Sequence, residues 1–118
     1  MKYLCLVYAD EAKLDSLPAG DRQRLVDAAL DYMDALRASG HYIVANALES
    51  IQTATTVRVE QGKTLTTDGP FAETKEQLGG FILIEARDLD DAVEVASKFP
   101  PVRLGCVEVR PIRELEHS

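Results

Sequence analysis

Tyr3-Leu4-Cys5-Leu6-Val7-Tyr8-Ala9 is apolar at every position, and a short run of that character reads as a β-strand covered on both of its faces. Phe81-Ile82-Leu83-Ile84 reads the same way. Between them, Asp21 to Ser39 carries Leu25, Ala29, Met33 and Leu36 at helical spacing. Arg22, Asp27, Asp31 and Asp34 lie off that stripe, and Ser39-Gly40 stops it. His41 to Ala45 follows as a second strand. Thr55 to Glu60 sets Val57 and Val59 against Thr56, Arg58 and Glu60, and Gln61-Gly62-Lys63 turns the chain into Thr64-Leu65-Thr66-Thr67, an inserted hairpin. After Glu85, Asp88 caps a second helix whose expected stripe is Leu89, Ala92, Val93, Ala96 and Phe99, ended by Pro100-Pro101. Gly105 to Arg110 is the last strand.

Leaving the hairpin aside, the order is strand, helix, strand, strand, helix, strand. That is an α+β fold of the ferredoxin-like plait type, βαβ-hairpin-βαβ, with both helices on one face of the sheet. Strands that are apolar on both sides then leave one face uncovered. A second copy of the chain is the expected cover, so a homodimer is expected. No repeat, linker or low-complexity stretch divides residues 1–118, which read as one domain.

Thirteen Lys and Arg against twenty Asp and Glu give a net charge of −7, so the phosphate attraction that dominates nucleic-acid affinity is absent and neither DNA nor RNA is an expected partner. No membrane span is expected either. The apolar start meets Asp10-Glu11 at once, without a basic lead or a small-residue cleavage site, and the expected compartment is the cytoplasm. Cys5 and Cys106 lie far apart in two predicted strands and read as small buried hydrophobes. No glycine spacing forms a phosphate loop, and no motif for a metal, a cofactor or a nucleophilic serine is present.

Chemistry concentrates in Thr66-Thr67-Asp68-Gly69-Pro70-Phe71-Ala72-Glu73-Thr74-Lys75-Glu76-Gln77-Leu78-Gly79-Gly80-Phe81. Asp68-Gly69 is a tight-turn dipeptide, Pro70 fixes a backbone angle, and Gly79-Gly80 permits close backbone approach. Asp68, Glu73, Lys75 and Glu76 stand within nine residues, and carboxylates in unlike surroundings are the material of proton transfer. A helical turn over Ala72 to Gln77 would put Glu73 and Glu76 on one face, with Asp68 held by turn amides. Tyr8, at the end of the first strand, is placed to donate a hydrogen bond into a pocket. Asp10 and Glu49 are weaker neighbours of the same kind. His41 and His117 stand without motif partners and are not expected to act.

The same run resembles the signature of the DGPF branch of the YCII-related family, named for the residues that stand here as Asp68, Gly69, Pro70 and Phe71. The likeness extends to Met1-Lys2-Tyr3, Tyr8-Ala9-Asp10-Glu11, Ala54-Thr55-Thr56-Val57-Arg58 and Val107-Glu108-Val109-Arg110-Pro111. The resemblance implies a dimeric α/β barrel, in which two ferredoxin-like sheets pack face to face with pockets between sheet, loops and partner. In the wider family a His early in the first helix and an Asp before the Pro that ends the second act on small molecules. Here those places read Asp21-Arg22-Gln23-Arg24 and Phe99-Pro100, so that dyad is missing. The branch's frequent association with extracytoplasmic-function sigma factors implies a regulatory setting.

The expected function is therefore that of a small-molecule enzyme of isomerase, dehydratase or lyase type. Asp68, Glu73 and Tyr8 are its expected catalytic residues, and Gly69, Pro70, Phe71, Lys75 and Glu76 are expected to bind a small-molecule ligand. The alternative is a noncatalytic ligand-binding or regulatory module.

Overall fold

The computed structural model describes residues 1–118. The chain runs β1 (Lys2–Ala9), α1 (Glu11–Ser16), α2 (Ala19–Ser39), β2 (Tyr42–Ala47), β3 (Thr55–Glu60), β4 (Lys63–Asp68), β5 (Gln77–Glu85), α3 (Leu89–Ser97) and β6 (Gly105–Pro111), with 3₁₀ turns at Ile51–Thr53 and Pro100–Leu104. Four strands form an antiparallel sheet in the order β2-β5-β1-β6. With the helices against one side of it, this is the ferredoxin-like plait that the element order implies. The inserted hairpin does not join it: β3 and β4 make a separate two-stranded sheet.

Alternation along β1 sorts the sheet into two faces. Tyr3, Cys5, Val7 and Ala9 are buried, whereas Leu4, Leu6 and Tyr8 between them are only half-buried. The buried set joins Ile82 and Ile84 of β5, Met33 and Leu36 of α2, and Ala92, Val95, Ala96 and Phe99 from α3 and its end. Tyr32 fastens α2 to α3, its hydroxyl donating to the Val95 carbonyl at 2.7 Å. On the opposite face the register sets Leu4 beside Leu83 and Leu6 beside Phe81. No element of the chain covers those side chains completely, which is the uncovered face expected above.

Several boundaries differ from the sequence reading for physical reasons. The first helix begins at Ala19, and the separate α1 precedes it. Six residues are too few to show a period, and α1 is held by its ends: Asp10 caps Ala12 N–H at 3.0 Å, while Glu11 accepts from Ile51 N–H at 2.8 Å and Ser50 Oγ at 3.0 Å. The stripe of α3 is rotated from the expected one. Leu89 and Val93 are about half exposed, while Val95 and Asp91 turn inward.

Gly79-Gly80 lies inside β5 and not ahead of it. Val7 pairs with Gly80 and Tyr8 with Leu78, so Gly79 is the unpaired residue of a β-bulge. A Cβ on Gly80 would stand 2.8 Å from the Asn46 carbonyl oxygen, so only glycine lets β2 approach this closely.

Candidate functional site

The bulge shifts the β1–β5 register by one residue, and pairing resumes with Tyr8–Leu78 and Ala9–Gln77 up to the start of β5. Tyr8 lies across from Leu78 on one side and Cys106 on the other. Its hydroxyl donates to Glu108 Oε1 at 3.4 Å. Cys106 is exposed, not buried as its strand position suggested, because β6 is an edge strand and this residue points to the uncovered face. Its thiol donates to Glu76 Oε1 at 3.8 Å. Glu76 is half-buried, and with Asp10, Lys13 and Lys75 it lines an open cleft of about 360 Å³. Every side chain of that lining is charged.

The electrostatics keep two of these groups protonated. Desolvation, then the neighbouring Glu108 carboxylate, raise the Tyr8 phenol above its ordinary value, so at neutral pH it is a donor. Desolvation and Glu76 likewise raise the Cys106 thiol, which is the opposite of what a thiolate nucleophile needs. Burial alone pushes Cys5 up to about 11, as befits a core residue.

The expected site residues fall into two groups. Lys75 and Glu76 share the charged cleft, and Tyr8 stands near it, paired across the β1–β6 ladder with Cys106, whose thiol reaches Glu76. Asp68, Gly69, Pro70, Phe71 and Glu73 lie instead at the base of the hairpin and in the loop that leaves it, and all but Gly69 are exposed. Ala72 to Gln77 forms no helical turn; Thr74 Oγ1 donates to the Glu76 carbonyl and Gln77 Nε2 to the Thr74 carbonyl, both at 2.6 Å, which holds an extended corner. Asp68 ends β4 opposite Thr55, and the turn amide it was expected to take is used elsewhere: Gly69 N–H donates to the Ala54 carbonyl at 2.7 Å. Gly69 adopts φ +99°, and its carbonyl accepts from Thr56 Oγ1 at 2.8 Å. A depression of about 600 Å³ at the hairpin tip, lined by Glu60, Gln61, Lys63 and Leu65, is the concavity of a twisted ribbon and holds none of these residues.

One constellation had no signal in the sequence reading. His41 Nε2 lies 3.1 Å from both oxygens of Asp91, and Ser39 Oγ lies 2.6 Å from its Nδ1. Asp91 also accepts from Arg87 N–H at 3.0 Å, and it is the one buried charged side chain of the chain. Arg87 N–H foremost, then the His41 hydrogen bond and charge, hold its carboxyl below the usual range. This array joins the start of β2 to the first turn of α3 on the helix side of the sheet. Fifty residues separate its acid from its base, so no local spacing announces it. The Gly40 and His41 N–H groups beside it donate to the Arg37 and Leu36 carbonyls, which leaves them unable to stabilise an oxyanion. Elsewhere, no three His, Cys, Asp or Glu side chains gather to hold a metal ion, and no helix is long and apolar enough to cross a membrane.

Comparison with known proteins places the chain among relatives. The YCII-related domain matches residues 1–116. An uncharacterized protein of Rhizobium meliloti (strain 1021) is 33% identical over 120 residues, which span 95% of this chain and 92% of that one. Among solved structures, the 5-chloro-2-hydroxyhydroquinone dehydrochlorinase TftG of Burkholderia phenoliruptrix AC1100, in complex with 2,5-dihydroxybenzoquinone, superposes with a TM-score of 0.56. It is 18% identical, with 96% of this chain and 94% of that chain covered, a likeness of fold.

Proposed function

The chain belongs to the YCII-related family, and from that premise we propose that it is a homodimeric small-molecule enzyme of lyase, dehydratase or isomerase type. Its site is the end of the open sheet face where Tyr8, Glu76 and the lysines of the cleft converge. The observation that carries this reading is the gathering of unlike groups at one end of the sheet: a half-buried carboxylate with Lys13 and Lys75 in one cleft, and a phenol held in its donor form beside Cys106, whose thiol contacts that carboxylate. In an elimination, Glu76 takes a proton from carbon and the freed electron pair forms the new double bond as the leaving group departs from the adjacent carbon. Tyr8 and Lys75 stabilise negative charge developing on a substrate oxygen. TftG, a dehydrochlorinase of the same fold that holds a dihydroxyquinone, supports the choice of a small oxygenated ring as the first substrate class to try. In the dimer, Asp68 and Glu73 act from the loop at the hairpin base.

A thermal-shift screen against small oxygenated aromatics and metabolites, with 2,5-dihydroxybenzoquinone included, tests the reading. A ligand at a hundred times its dissociation constant adds about 2.7 kcal/mol, a shift of roughly 10 °C for a domain of this size. Tyr8→Phe and Glu76→Gln should keep the dimer and the melting temperature but lose the ligand shift. An undiminished shift in both variants would remove the site assignment.

The alternative, a noncatalytic binding or regulatory module, draws on the exposure of Phe71, 80% of which faces solvent. Ligand binding without turnover in any assay of proton exchange or elimination would favour it.

A further inference from the structure

The β3–β4 hairpin is the part of the molecule that its own fold does not explain. A two-stranded ribbon alone is at best marginally stable in water, yet this one keeps an unbroken ladder from Thr55–Asp68 to Glu60–Lys63. It exposes Val57 by 60%, Val59 by 67% and Leu65 by 45%, with Phe71 just beyond it. The chain is correspondingly spread out. Its radius of gyration is 16.4 Å over a body of 50 × 48 × 18 Å, against roughly 13.5 Å for a compact domain of this length. At its base, the Gly69–Ala54 and Thr56–Gly69 hydrogen bonds carry the pairing of its two strands one step beyond the ladder.

We propose that this hairpin is an arm that docks on a second copy of the chain and carries the Asp68–Phe71 turn to the site of that copy; the inference rests on the dimer of the proposed function. Area argues for the second copy as occupant. Four strands of this length present about 500 Å² of open sheet, whereas a stable interface takes about 800 Å² from each partner. Two strands of six residues add about 200 Å² on one face, and Phe71 extends that contact. Chemistry argues the same way. Ligand sites are mainly apolar with a few placed polar groups, but the cleft beside Glu76 has no apolar wall of its own. An aromatic ring delivered by a partner supplies one.

The chain contains no tryptophan, so Phe71→Trp introduces a single fluorescent reporter at the base of the arm. Light scattering assigns the oligomeric state of each sample. The expected result is blue-shifted emission in the dimer. The emission should move to the red when dilution, or the open-face substitution Leu6→Asp in the same background, yields the monomer of 13.0 kDa. Val57→Thr with Val59→Thr, which alters exposed strand positions only, should raise the dimer dissociation constant about tenfold. Red emission from an intact dimer, or emission that is the same in dimer and monomer, overturns the arm and leaves the dimer standing. A monomer at every concentration overturns the dimer, and the arm with it.

Discussion

Asp91 shows how a single residue can redirect an element. A stripe of Leu89 and Val93 was the apolar reading of α3, but the carboxylate at the third position of the helix is drawn inward by Arg87 N–H and His41, and the helix turns with it. The pair is a buried charge matched by donors, so removing one partner leaves the other unsatisfied. Its pH dependence follows from the lowered pKa. A carboxylate whose folded pKa lies below its unfolded one contributes stability that is fully present above the unfolded value. That contribution is lost as pH falls through the folded value. Wild type should therefore melt above Asp91→Asn at neutral pH, and the gap should close as pH drops below the ordinary carboxylate value of 3.8. Melting curves from pH 7 down to pH 2.5 check it; a gap that widened on acidification would contradict the assignment of cause. Neither member of this pair was foreseeable, because a histidine after a helix stop and an aspartate in a capping turn are each commonplace alone.

At the scale of elements, β1, β5 and α2 were legible because their apolar residues recur with a clear period over enough length to decide. β2 and β6 followed from order, and the plait from all of them. What escaped was structure specified by contacts instead of period: α1, held by side-chain ties at its ends, and the strand character of Gln77 to Gly80. Glycines there read as places of close backbone approach ahead of a strand, whereas that approach lies inside the strand, at a bulge and beside β2. The geometry around the candidate site was half legible for the same reason. Residues 75 and 76 border a strand and reach the open face, while residues 68 to 73 go with the hairpin, whose place no pattern within its own sequence reveals. Gly80→Val tests the crossing. A Cβ within 2.8 Å of a backbone carbonyl forces β2 away from β5, and overpacking of this kind costs about 1–3 kcal/mol. The melting temperature should fall by roughly 5 °C or more; an unchanged value would mean that β2 shifts freely and that the close approach at Gly80 is incidental.

For the whole molecule, the open sheet face and the net charge pull in opposite directions. Leu4, Leu6, Phe81 and Leu83 invite a second sheet, and face-to-face sheets about 10 Å apart would bury them. Each copy nevertheless carries −7, so approach is opposed by long-range repulsion while contact is favoured by apolar area. The residues that flank the apolar face include both Glu108 and Arg110, facing Leu6 and Leu4 across the β1–β6 ladder, which gives no net local attraction to offset that repulsion. Salt separates the two contributions. Raising ionic strength from about 0.01 M to about 0.15 M shortens the screening length from about 30 Å to about 8 Å, which removes most of the repulsion and leaves apolar burial intact. The dimer dissociation constant should therefore fall as salt is added, and sedimentation or light scattering over a dilution series at the two ionic strengths measures it. A dimer that loosened with salt would be held by ion pairs across the interface and not by the open face of the sheet, and the apolar basis for the second copy would be gone.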